Sequence, residues 1–76
     1  MKLTDLLQTI DLEKVVVNVL DFDKNFGIYQ KVCDGWNLMH FPAKTERRRK
    51  MRERTVKNIS PVITGEGVEI NVILEV

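Results

Sequence analysis

Residues 68–76 read Val68-Glu69-Ile70-Asn71-Val72-Ile73-Leu74-Glu75-Val76. In an extended chain Val68, Ile70, Val72, Leu74 and Val76 point one way. Glu69, Asn71 and Glu75 point the other, and Ile73 breaks the pattern. A strand with one dry face needs a cover. The other end of the chain offers one: Leu3, Leu6, Leu7 and Ile10 stand at i, i+3, i+4, i+7 spacing, the apolar stripe of a helix. Thr4 can open that helix, and Asp5 suits the positive end of its dipole. At about two turns it is too short to hold alone and must dock. A short N-terminal helix on a sheet predicts an α+β fold.

The middle of the chain supplies more strand. Lys14-Val15-Val16-Val17-Asn18-Val19-Leu20 is β-branched, and the Asp-, Asn- and Gly-bearing run at 21–27 marks a turn. Ile28-Tyr29-Gln30-Lys31-Val32-Cys33 and Trp36-Asn37-Leu38-Met39-His40-Phe41 flank Asp34-Gly35, a linker suited to a type I′ hairpin. That register sets Cys33 opposite Trp36, Lys31 opposite Leu38 and Tyr29 opposite His40. Pro42 ends the hairpin. Residues 54–59 return to strand with Pro61 limiting its far end, and Thr64-Gly65-Glu66-Gly67 is a turn. The expectation is one small α+β domain over 1–76. The N-terminal helix packs on a mostly antiparallel four- to five-stranded sheet, and a basic helix or arm projects before the last two strands.

Composition excludes several classes. Seventy-six residues allow one small core, and 43% apolar with 30% charged residues is ordinary for a globular domain. The longest apolar runs, Val15-Val16-Val17 among them, are far below the roughly 18 residues of a membrane span. No secretory signal is read at Met1-Lys2-Leu3-Thr4-Asp5. One cysteine permits no internal disulfide, and a reducing cytoplasm is the expected setting.

The net charge of +1 conceals an asymmetry. Residues 44–57 hold eight of the twelve basic and two of the eleven acidic residues, a net of +6, and the other 62 residues carry −5. Lys44, Arg47, Arg48, Arg49, Lys50, Arg52, Arg54 and Lys57 are therefore the candidate binding residues. Arginine forks suit phosphate or carboxylate. Helix propensity in the segment is good, but only Met51 and Val56 are apolar, so it reads as a solvated helix or a partly ordered arm. In a helix Arg48 and Arg52 share a face, as do Lys50 and Arg54. Tyr29 and Trp36 are candidates for stacking on bases.

Catalysis is not expected. Cys33 and His40, the only histidine, lie about 13 Å apart in the hairpin register, too far to pass a proton. Cys33 reads as a packing residue, and one His with one Cys does not make a zinc site. Asp21-x-Asp23-x-Asn25 lacks the later glycine and glutamate of a calcium loop and reads as turn chemistry. Gly65-x-Gly67 lacks the lysine of a phosphate loop, and Ser60 before Pro61 is a turn residue. No metal or cofactor is expected.

Lys2-Leu3-Thr4-Asp5-Leu6-Leu7-x-x-Ile10, with Arg54-x-Val56-x-x-Ile59 and Val68-Glu69-Ile70-x-Val72, resembles short uncharacterised phage and prophage proteins of Gram-positive bacteria. The resemblance implies an accessory protein of the host cytoplasm, and for some such proteins an inhibitor of a host defence enzyme. The expectation is a non-enzymatic protein that engages nucleic acid or a nucleotide through residues 44–57. The alternatives are an inhibitor seated in an acidic groove of a host enzyme, and a small structural phage component that oligomerises through exposed strand edges.

Overall fold

The computed structural model describes residues 1–40 and 46–76. Its elements run α1 (Leu3–Gln8), β1 (Val16–Asp23), β2 (Ile28–Asp34), α2 (Gly35–His40), α3 (Glu46–Arg52), β3 (Val56–Thr64) and β4 (Gly67–Leu74). The four strands form one mixed sheet in the order β2-β1-β4-β3. β1 pairs antiparallel with β2 and parallel with β4, and β3 pairs antiparallel with β4. The α+β expectation holds, with the basic helix inserted before the last two strands.

The core is the meeting of the two patterns read first. Leu3, Leu6 and Leu7 of α1 and Leu38 of α2 close over Val17 and Val19 of β1 and Val72 and Leu74 of β4. Each fully buried leucine or valine contributes roughly 1.5–3 kcal/mol, which is what holds a helix this short. α1 ends before Ile10, because the Thr9 hydroxyl and backbone N–H both turn back to the Leu6 carbonyl (2.7 and 3.0 Å). Lys2 rather than Thr4 stands at its N-cap position, without a side-chain cap. The free Leu3 N–H is satisfied by the Arg54 carbonyl at 2.8 Å, beside an isolated Lys2–Thr55 bridge.

The expected hairpin over residues 28–41 does not form. β2 pairs back onto β1 instead, and residues 35–40 are helical, so Cys33–Trp36 and Tyr29–His40 are not cross-strand pairs. Two local features decide this. Residues 24–27 already make a hairpin turn: Gly27 takes the left-handed φ of +67° and donates to the Asp23 carbonyl, while Asp23 Oδ1 accepts the Asn25 N–H. Asp34 is then a helix cap rather than a turn residue. Its Oδ1 accepts the Asn37 backbone N–H (2.7 Å) and its Oδ2 the Asn37 side-chain amide. Phe41, placed at the end of that hairpin by the sequence, lies outside the described residues.

Gly35 follows as the first helical residue because a side chain would not fit. A Cβ there would stand 2.9 Å from Leu7 Cδ2 and 3.1 Å from Val17 Cβ. β3 continues through Pro61 to Thr64, which an edge strand tolerates. Each edge strand carries a register shift: Val32 is left unpaired against β1, and Lys57 against β4. Substitution Gly35→Val is expected to lower stability by about 1–3 kcal/mol through overpacking. Gly65→Ala, whose Cβ meets nothing within 4 Å, should stay within about 0.5 kcal/mol. Urea denaturation of the two variants measures the contrast.

Candidate functional site

The basic segment folds as a helix that lies on the body, and its helical phase sorts its charges. Successive residues turn by about 100°, so Arg48 and Arg52 share one side, Arg47, Lys50 and Met51 another, and Glu46, Arg49 and Glu53 a third.

Arg48 and Arg52 are turned toward α2. Arg48 Nη2 donates to the Asn37 carbonyl at 2.8 Å, and Arg52 Nε to the Leu38 carbonyl at 3.1 Å. These are carbonyls of the last turn of α2, which lack N–H donors within the helix, and a cation suits that end of the dipole. The third side is self-neutralised: Arg49 grips the Glu46 carboxylate (2.6 and 2.7 Å), and Glu53 pairs with Lys2 at 2.8 Å. Both pairs are exposed and contribute little to stability.

Just beyond the helix, Arg54 forks onto Asp21 of β1 with bonds of 3.0 and 2.9 Å, and reaches the Glu75 carbonyl at 2.9 Å. The bond from Arg54 is the main cause holding the Asp21 carboxyl below its ordinary value, against partial burial. Lys57 leaves the basic face altogether. Its Nζ meets Tyr29 Oη at 3.2 Å and stands 5.6 Å above the tyrosine ring. Lys44 lies outside the described residues.

Arg47 and Lys50 remain. Both are exposed, and neither meets a hydrogen-bonding or charged partner among the described residues. Arg47 stands over a groove of about 660 Å³ between α3, α2 and the edge strand β2. α3 gives it Arg47, Arg48 and Met51, and α2 gives Asn37 and Leu38. Four successive residues of β2, Lys31, Val32, Cys33 and Asp34, form the other wall. Lys31 is likewise exposed and without a partner among the described residues. A neighbouring hollow shares Val32, Arg47 and Met51 and adds Lys50, Glu46, Asp21 and Arg54. Sequence reasoning missed Lys31, because it lies outside the charge run and joins the site only through the fold.

The stacking candidates lie elsewhere. Tyr29 packs edge-to-face on Phe22 (centroids 5.3 Å apart), and Trp36 stacks on His40 at 4.4 Å. Neither lines the groove among its described residues. His40 Nδ1 is engaged by the Trp36 carbonyl at 3.0 Å. Cys33 is half-buried, and burial pushes its thiol up against the opposing pull of Arg48, which favours the protonated form. Among the described residues no group of three or more His, Cys, Asp or Glu is placed to hold a metal ion. No helix there is long and apolar enough to cross a membrane.

Comparison of the chain with protein families, with curated proteins and with solved structures finds no match.

The Asp21–Arg54 pair sets a pH dependence. A carboxyl held below its unfolded value contributes stability that is present above about pH 4 and lost as pH falls through the folded value. Asp21→Asn should therefore cost on the order of 1 kcal/mol at pH 7, discounted for partial exposure. The difference from wild type should shrink as pH drops below about 4, measured by urea denaturation at pH 7 and pH 3.

Proposed function

We propose that this chain is a non-enzymatic binding protein of the host cytoplasm whose docking surface is the groove between β2 and α3. Its partner is an acidic protein surface. The observation that carries this reading is the division of charge on α3. Most of the basic run is committed inside the molecule, while Arg47, Lys50 and Lys31 face outward without partners among the described residues.

Two features favour acidic protein over a nucleic-acid backbone. The three presented cations among the described residues neutralise about three phosphates, whereas proteins that hold duplex by its backbone commonly use roughly 6–10. The surface is also mixed: Glu46 and Asp21 line the hollow beside Arg47 and Lys50, and Val32, Leu38 and Met51 supply apolar contact. Both carboxylates are already paired, Glu46 with Arg49 and Asp21 with Arg54, so the discriminating feature is the apolar wall, which a continuous phosphate chain leaves unused. A protein segment can place its acidic side chains on the cations and its apolar ones on the groove wall. Inhibition of a host enzyme through such a segment is the role the phage-like sequence pattern suggests.

Charge reversal tests the surface. The double variant Arg47→Glu/Lys50→Glu should abolish binding of polyglutamate at low salt, read by fluorescence anisotropy. Lys14→Glu/Lys24→Glu, with the same change in net charge, should retain it. Labelled duplex DNA, single-stranded DNA and RNA are titrated in parallel. If they bind through Arg47 and Lys50 and polyglutamate does not, the partner is nucleic acid and this reading fails.

A further inference from the structure

We infer that the groove takes its partner as an extended acidic strand, added to the sheet along the free edge of β2; this rests on the acidic-protein reading above. The groove wall carries the inference. Lys31 and Cys33, on either side of the unpaired Val32, stand opposite Leu20 and Val19, successive residues of β1 whose side chains point to opposite faces of the sheet. A hollow bounded by four successive residues of one strand, Lys31 to Asp34, therefore runs along that strand's edge rather than over one face.

Among the described residues the sheet order leaves that edge unpaired: β2 is the first strand, with β1 on its other side. An edge strand presents a row of backbone donors and acceptors that an extended chain can complete. The register shift leaves Val32 without a partner on β1 and 43% exposed, at the middle of the wall. α3 stands across the groove. Arg47 and Lys50, one helical turn apart, would face the added strand from one side. Carboxylates on alternate residues of that strand, about 6–7 Å apart, would fall on one face and reach them.

The charges also choose the occupant. A second copy pairing β2 to β2 would bring Lys31 and Arg47 of both chains together. β3 carries no acidic residue, so its edge offers the same cations no counter-charge. An acidic strand of another protein satisfies the backbone and the cations at once.

The test uses the full chain and two decapeptides of alternating glutamate and valine, one of them N-methylated at every second residue to remove its pairing edge. The unmodified peptide should bind, and slow amide hydrogen exchange within residues 28–34, while β3 is unchanged. The N-methylated peptide should bind at least about tenfold more weakly, since its ladder bonds are lost. Equal binding of both peptides would overturn strand addition while leaving the acidic-partner reading intact. Binding of polyglutamate but of neither peptide would do the same. Failure of polyglutamate and of both peptides at low salt would overturn both readings.

Discussion

Gly35 has no side chain, and the absence of one carbon lets the start of α2 lie directly against Val17 and Leu7. That contact turns the chain at the end of β2. With Asp34 capping the new helix, residues 35–40 cross over the sheet instead of pairing beside it. Two consequences follow from the one packing constraint. Leu38 is delivered to the core, where it closes the gap between α1 and the two central strands. β2 is left at the edge of the sheet with nothing paired to its outer side among the described residues. A bulkier residue at 35 would push the helix away, lose the burial of Leu38, and remove the wall from which the groove is made.

α2 in turn organises the basic segment. Its last-turn carbonyls at Asn37 and Leu38 attract Arg48 and Arg52, one helical turn apart on α3, and so fix the rotation of that helix about its axis. Once two arginines are committed to one side, helical geometry dictates where the others point. Met51 turns toward the core, Arg49 falls beside Glu46 in solvent, and Arg47 and Lys50 are presented toward β2. Arg54 then locks the exit from α3 to β1 through Asp21. A run of like charge is thus divided into structural and presented sets by helical phase, and the presented set is small. The proposal of a short mixed partner segment rests on that division among the described residues.

The parts of this architecture legible in the sequence are those with a period. The leucine stripe of α1 and the alternation of β4 point to the core on both sides, though Val68 and Val76 of the expected dry face are exposed, and the arginine run, read as a helix or a partly ordered arm, is a helix over Glu46–Arg52. The hairpin at Asp34-Gly35 was misleading because the dipeptide has two uses. Asp-Gly makes a type I′ turn, and Asp followed by a small residue also makes a helix cap. The choice is not local. It depends on the turn at 24–27 claiming β2 for β1, and on Leu7 and Val17 requiring a glycine. Gly35, Leu38 and Met39 at i, i+3, i+4 hold a faint helical signal, and Pro61, read as the far limit of its strand, lies inside β3, which runs on to Thr64. Which arginines are presented could not be read at all. Asp21 is 33 residues from Arg54, and the carbonyls that take Arg48 and Arg52 have no side-chain signature.

The two open edges of the sheet are protected in different ways, and the difference bears on function. β3 is blunted through its backbone: Pro61 has no N–H to give, and the shift at Lys57 breaks its regular run. That protection acts on any visiting strand alike, which matters because Ile59, Val62 and Ile63 are exposed there. β2 has no proline. Besides the shift at Val32, its protection is the positive charge of Lys31 and of Arg47 across the groove. Charge is selective where backbone chemistry is not, since it repels a second copy or a basic chain and attracts an acidic one. Under the proposed reading, the same side chains that keep β2 from pairing with itself would favour an acidic strand over a basic one, while the apolar wall of Val32, Leu38 and Met51 adds the rest of the contact.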